Sequence, residues 1–235
     1  MLFTFSVLLV RIVMIAIRFD MKKNEVVILL HGIGMSRLSM YYYQRAIEAA
    51  GYITINIDYP SRRFRAIDLF EIVSDLVKKE LSAYEDYDKV HYVGHSLGGI
   101  LARLLALDNE EEHVGCCIAL GSPNRGSVLA YRIYENWFMR WYFGVALPDL
   151  FPDADFICSL SSLPKNYYLI AGTEYRLSPF GFSLEKPNDG TVLVREMIPE
   201  GLNKSHIYHF NVSHTSMLFS KDVRAQIVRL LDDNN

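Results

Sequence analysis

Apolar residues along this chain fall into short continuous runs, separated by longer stretches in which they recur every three or four positions. Residues 25–30 (Glu-Val-Val-Ile-Leu-Leu) are a short, β-branched, nearly unbroken apolar run. A strand covered on both faces reads this way, because neither side of it needs polar residues. Residues 52–57, 89–93, 114–120 and 167–171 read similarly, and a sixth segment, 206–212, is more mixed. Helical spacing occupies about 37–50, 66–83, 97–107 and 216–231. In the second of these, Ile67, Phe70, Ile72, Val73, Leu76, Val77 and Leu81 recur at the period of one helix face. Gly51 follows the first as a natural C-cap.

Strand alternating with helix implies crossover connections. The expected architecture is α/β, with a mostly parallel central sheet of about six strands and helices on both faces. No repeat, low-complexity run or linker divides residues 21–235, which are expected to form one domain. Residues 127–165 are not needed by the sheet and would form a small cap. In such sheets ligands sit beyond the carboxyl ends of the strands, so chemistry should be sought just after each strand.

Composition narrows the classes. The chain has 235 residues, 51% of them hydrophobic, enough for one sizeable core. Its net charge of −3 supplies no field to hold a polyanion, so a nucleic-acid partner is not expected. The 3 cysteines, Cys116, Cys117 and Cys158, fit neither a disulfide framework nor a zinc spacing. They read as buried, reduced side chains in a reducing compartment, which favours a cytoplasmic protein. Met1 to Ile17 is almost wholly apolar, but Arg11 interrupts it and Arg18 follows. A spanning helix needs about 20 apolar residues, and a signal peptide carries its positive charge first. Two readings of residues 1–20 stay open: an anchor giving membrane contact through residues 1–18, or a true start at Met21. The second is slightly favoured.

The chemistry centres on Gly94-His95-Ser96-Leu97-Gly98-Gly99, which joins the run at 89–93 to the helical pattern at 97–107. A G-x-S-x-G pattern alone is weak. Its placement between a strand and a helix is what a nucleophilic serine on a sharp, strained turn requires. A serine hydroxyl needs a base to take its proton, and on this kind of turn the partners follow in the order Ser, acid, His. His31, His91, His95 and His113 come too early or open a strand. His206 and His209 lie within the last strand pattern, where a side chain points into a sheet face. His214, just past that strand, is the preferred base. Asp189, in Asn188-Asp189-Gly190-Thr191-Val192, is the preferred acid, since a tight turn can aim a short carboxylate inward. Glu174 is its rival, being nearer the strand end. The developing oxyanion would need backbone donors. Leu97 N–H, opening the helix, is one. Ile33, in His31-Gly32-Ile33-Gly34 after the first strand, is the other.

Together, Val27-Ile28-Leu29-Leu30-His31-Gly32-Ile33-Gly34, the 94–99 turn, Asn188-Asp189-Gly190-Thr191-Val192 and Val212-Ser213-His214-Thr215 resemble the lipase-like α/β-hydrolases. The likeness is to small bacterial lipases and the lipase-like proteins of the inositol-deacylase group, and it runs from about residue 25 onward. It implies a minimal version of that fold, carboxyl-ester hydrolysis by Ser96, Asp189 and His214, and no cofactor. It also implies the residue after His31-Gly32 as an oxyanion donor. Ser122-Pro123-Asn124-Arg125-Gly126-Ser127 matches the same group and would border the site. No metal is expected, because no H-x-x-x-H or paired-carboxylate spacing lies near the strand ends. The partner would be a small-molecule or lipid-like ester.

Two features leave the substrate open. Trp137 and Trp141, at i and i+4 within the 127–165 insertion, could line an acyl pocket under a lid, or bury one aromatic face on the core. Arg62-Arg63-Phe64-Arg65 could attract an acidic head group, although such runs are more often solvated. Two other functions compete with hydrolysis: acyl transfer from the same site, and a catalytically silent binding module.

Overall fold

The computed structural model describes residues 24–84, 87–109, 113–175 and 183–234. Its first strand, β1 (Glu25–Leu30), is buried along its whole length. Around it the strands β2 (Ile53–Ile57), β3 (Lys89–His95), β4 (Val114–Leu120), β5 (Tyr167–Gly172) and β6 (Ile207–Phe210) assemble in the order β2-β1-β3-β4-β5-β6. Every pairing is parallel. The alternation of side chains along β1 divides the core. Val26, Ile28 and Leu30 face one apolar layer, whereas Val27 and Leu29 face the other. Helices α2 (Ala66–Leu81) and α3 (Leu97–Asp108) cover the first side, burying Leu69, Val73, Ile100 and Leu101. Helix α1 (Tyr41–Ala49) and the last helix, α8 (Lys221–Asp233), cover the second with Tyr43, Ile47, Val223 and Ile227.

The chain runs from β1 out to the β2 edge and then returns past β1 to β3. The loops leaving β1 and β3 therefore lead to helices on opposite faces, the arrangement that places ligand sites at the carboxyl ends of adjacent strands. Those two loops carry Ile33 and Ser96.

The insertion between β4 and β5 holds α4 (Val128–Tyr134), α5 (Trp137–Phe143) and α6 (Asp155–Cys158). Leu129, Ile133, Leu147 and Leu150 join the first core layer, so much of the insertion is packed structure. Asp149 anchors it: its carboxylate accepts bonds from the Arg65 guanidinium and, at 2.7 Å, from Ala66 N–H. It thereby caps α2, whose own N-cap residue, Arg65, has no side-chain acceptor. Arg65 is thus committed to a structural pair. The remaining helix, α7 (Val194–Met197), precedes β6.

Several boundaries differ from the sequence pattern. Residues 37–50 divide into a 3-10 turn, Arg37–Met40, and α1. The final helix begins at Lys221 because Ser220 caps it, its hydroxyl accepting from Val223 N–H, and Ser216–Phe219 forms a separate 3-10 turn. β6 ends at Phe210 rather than 212, where Val212 N–H bonds back to the Phe210 carbonyl at 2.8 Å and turns the chain. Cys116 and Cys117 are buried as expected, but Cys158 is exposed. On the short α6 it is Ile157 that takes the inward position. The open question of residues 1–20 lies outside the described residues. Among the described residues, no helix is long and apolar enough to cross a membrane.

Candidate active site

Ser96 sits between β3 and α3 with φ 55° and ψ −124°. It is the one described residue other than glycine in the left-handed region, a strained conformation that holds only where the surroundings enforce it. The surroundings do so through close backbone approach. A Cβ on Gly94 would overlap the Gly98 carbonyl, and one on Gly98 would overlap the carbonyls of Leu30 and His31. Glycines two places either side of the serine are therefore required by space. Ser96 N–H donates to the Leu120 carbonyl at 2.9 Å, which fixes the turn to the end of β4.

The loop after β6 brings in His214. Its Nδ1 lies 2.6 Å from Asp189 Oδ2, and its backbone N–H donates to the Asp189 carbonyl at 2.8 Å. The other carboxylate oxygen, Oδ1, accepts from Thr191 N–H (2.9 Å) and Val192 N–H (2.7 Å). The Asp-Gly turn thus holds the carboxylate by one oxygen and presents the other to the imidazole. A Cβ on Gly121, the residue after Leu120, would lie 3.0 Å from Asp189 Oδ2 and 3.1 Å from His214 Nδ1. The end of β4 consequently touches the serine turn through Leu120 and the acid–imidazole pair through Gly121. All three side chains are buried or nearly so: Ser96 and His214 are each 7% exposed and Asp189 1%. With Nδ1–H given to the carboxylate, Nε2 of His214 keeps its lone pair.

Residues 25–166 match the profile of the alpha/beta hydrolase fold family. The chain belongs to that family. No curated protein sequence matches it. Among solved structures it is similar to the mature form of Bacillus licheniformis lipase BlEst2, with a TM-score of 0.67 at 21% identity over 87% of this chain and 91% of that one. It is also similar to Paleococcus ferrophilus monoacylglycerol lipase, with a TM-score of 0.60 at 16% identity over 89% and 95%. Aspergillus fumigatus lipase B matches with a TM-score of 0.61 at 17% identity over 90% of this chain, which spans 53% of that protein. At these identities the likeness is one of fold.

Other parts of this α/β-hydrolase bear on the site. A Cβ on Gly32 would lie 3.1 Å from Ser96 Cβ, so the loop after β1 runs beside the serine. In that loop Gly34 N–H donates to Ser61 Oγ (3.1 Å) and Met35 N–H to the Gly32 carbonyl (3.2 Å). Neither uses the Ile33 N–H. Leu97 N–H belongs to the first turn of α3, where no intrahelical acceptor exists. His31 is buried and stacked on Tyr59, with ring centroids 4.1 Å apart, so it braces the loop. Glu174, the rival acid, gives its N–H to the Val212 carbonyl, whereas the carboxylate on His214 is that of Asp189. The Ser122–Ser127 loop borders the serine helix: a Cβ on Gly99 would overlap Ser122 Oγ. Among the described residues, no group of three His, Cys, Asp or Glu side chains is arranged to hold a metal.

Trp137 and Trp141 do not enclose the serine. They are 72% and 69% exposed, and α5 buries none of its residues. Neither an acyl pocket walled by the tryptophans nor an aromatic face sunk into the core describes this placement. The helix leans on the core through Met139 and Phe143, and the tryptophans, at i and i+4, share the outer face. The helix is nevertheless close to the site. A Cβ on Gly34 would lie 3.7 Å from Tyr142 and 4.0 Å from Phe143.

His95, set aside in the sequence as coming too early to be the base, supports the base from behind, a contact that the sequence does not show. Its ring is fully buried, 4.6 Å from the His214 ring, and its Nε2–H donates to the His214 carbonyl at 3.0 Å. Its Nδ1 faces Gly32. Burial, with the neighbouring His214 second, pushes its pKa well below the ordinary 6.5, and burial also lowers that of His31. Both rings are therefore harder to protonate in the folded state than in the unfolded chain, which binds more protons below pH 6.5. Stability from them is therefore complete above pH 6.5 and is lost as the pH falls below it. Thermal denaturation against pH should show Tm falling on the acid side, each ring adding up to about 1.4 kcal/mol per pH unit to the slope. His95→Gln should make that limb shallower by one proton. A limb unchanged in the variant would contradict the assignment.

Proposed function

We propose that this chain is a serine hydrolase that cleaves a carboxylic ester through Ser96, His214 and Asp189. The observation that carries the reading is the 2.6 Å contact of Asp189 Oδ2 with His214 Nδ1, beside a serine held at positive φ. Asp189 fixes the Nδ1–H tautomer, so Nε2 is the basic atom and takes the proton of Ser96 Oγ as that oxygen attacks the ester carbonyl. The negative charge passes to the former carbonyl oxygen, which receives the N–H groups of Leu97 and Ile33. His214 then protonates the departing alkoxide, leaving an acyl group on Ser96. Water, deprotonated by the same imidazole, releases the acid.

The substrate is a small-molecule or lipid-like ester. A series of nitrophenyl esters of increasing acyl length tests the reading, with a simple alcohol added in parallel. At least one ester should be turned over, with the carboxylic acid as the main product. No turnover across the series would overturn it. Dominance of the transferred ester would replace hydrolysis with acyl transfer at the same residues.

A further inference from the structure

Helix α5 presents an aromatic surface that is left exposed to solvent, none of its residues being buried. Trp137 and Trp141 are the most exposed of its rings, and Phe138 and Tyr142 beside them are 45% and 43% exposed. Phe138 lies against both tryptophans, at 6.0 and 5.7 Å between ring centroids, so the rings form one patch. A contiguous aromatic patch of this kind is retained on a folded surface when something covers it.

The charge around the patch selects the occupant. The loop carrying Arg62 and Arg63 is joined to the end of α5: Val145 N–H donates to the Arg62 carbonyl at 3.0 Å, and the Arg62 guanidinium to the Tyr142 carbonyl at 3.4 Å. Arg62, Arg63, Phe64 and Arg140 are all exposed, and Asp149, the acid of the insertion that meets this loop, is taken up by Arg65 and Ala66 N–H. Asp58 lines the cleft shared with Arg62 and Arg63, where its carboxylate accepts from Arg37 N–H. Aromatic rings mixed with arginines are the chemistry of a membrane interface, where rings enter the head-group layer and guanidinium groups meet phosphates. A second copy fits poorly, because a two-fold contact would set this basic surface against itself.

We propose that α5 and the Arg62–Phe64 loop dock on the surface of an anionic phospholipid bilayer. Gly34 lies against Tyr142, Phe143 and the Arg62 side chain, so the docked face adjoins the loop that carries Ile33. This inference does not depend on Ser96 acting as a nucleophile.

The chain contains 2 tryptophans, Trp137 and Trp141, so its tryptophan emission reports on this helix and on no other part of the chain. The test titrates the full-length protein with vesicles of ether-linked phosphatidylglycerol, which offer no ester to cleave, and with the phosphatidylcholine equivalent. With phosphatidylglycerol the emission should shift to the blue and acrylamide quenching should fall about two-fold, as rings entering the interface lose contact with water. High salt, or Arg62→Ser with Arg63→Ser, should weaken both effects. Sedimentation with vesicles at unchanged emission would overturn the proposal by placing membrane contact elsewhere. A lipid-independent blue shift that grows with protein concentration would overturn it in favour of a second copy. An equal response to both lipids would remove the role of the arginines and contradict it as stated.

Discussion

Asp189→Asn is expected to lower kcat for ester hydrolysis about 10³–10⁴-fold while leaving the fold intact. The asymmetry of the turn explains both halves. Oδ1 of Asp189 is held by Thr191 N–H and Val192 N–H, and an asparagine carbonyl oxygen can accept those same two bonds. The amide NH₂ then takes the place of Oδ2 and faces His214 Nδ1. Two donors cannot bond to each other, so the imidazole proton must move to Nε2. An imidazole protonated there cannot accept the proton of Ser96. The lesion is one of tautomer rather than of packing, so Tm and circular dichroism should stay near wild type. Glu174→Gln, at the other carboxylate considered, should leave kcat within a few-fold. A loss of less than about tenfold in Asp189→Asn would mean that the acid does not orient the base.

Much of this site is legible in the sequence because local geometry dictates it. The runs at 25–30 and 114–120 became strands with those bounds, since a segment apolar on both sides has no place but the interior of a sheet. Gly94 and Gly98 announce a tight approach by their identity, and the structure fills the space that their missing side chains leave. His214 and Asp189 were reached by chain order, then found 2.6 Å apart.

What stayed hidden depends on contacts between residues remote in sequence. His95 meets the His214 carbonyl across 119 positions, and no periodicity encodes that. Arg103 is another case. It sits buried on α3, donating to the carbonyls of Leu160 and Ser162 and to Asn124 Oδ1, and so ties the insertion to the serine helix. Its spacing within an apolar helix gives no hint of these partners. The orientation of α5 was undecidable for a different reason. Trp137, Phe138, Trp141, Tyr142 and Phe143 spread over most of the helix and Arg140 is its one polar residue, so the pattern does not single out the face that turns outward. Only the packing of Met139 and Phe143 resolves which side faces the core.

Ser96 is the proposed nucleophile, and losing it carries the largest expected effect. Its strained backbone, the glycines that permit the turn and the Asp189–His214 pair beside it have value for chemistry only if Oγ attacks. Ser96→Ala removes one oxygen from a site whose backbone is held by Leu120 and by the neighbouring glycines, so the fold should persist. Its kcat should fall about 10⁴-fold or more, as when a catalytic serine is removed from comparable triads. The most direct measurement is reaction with a fluorophosphonate, followed by digestion and mass spectrometry to locate the adduct. The expected result is one phosphonylated residue, Ser96, formed in step with loss of esterase activity and absent from Ser96→Ala. An adduct on another residue, or labelling that survives in Ser96→Ala, would contradict the account.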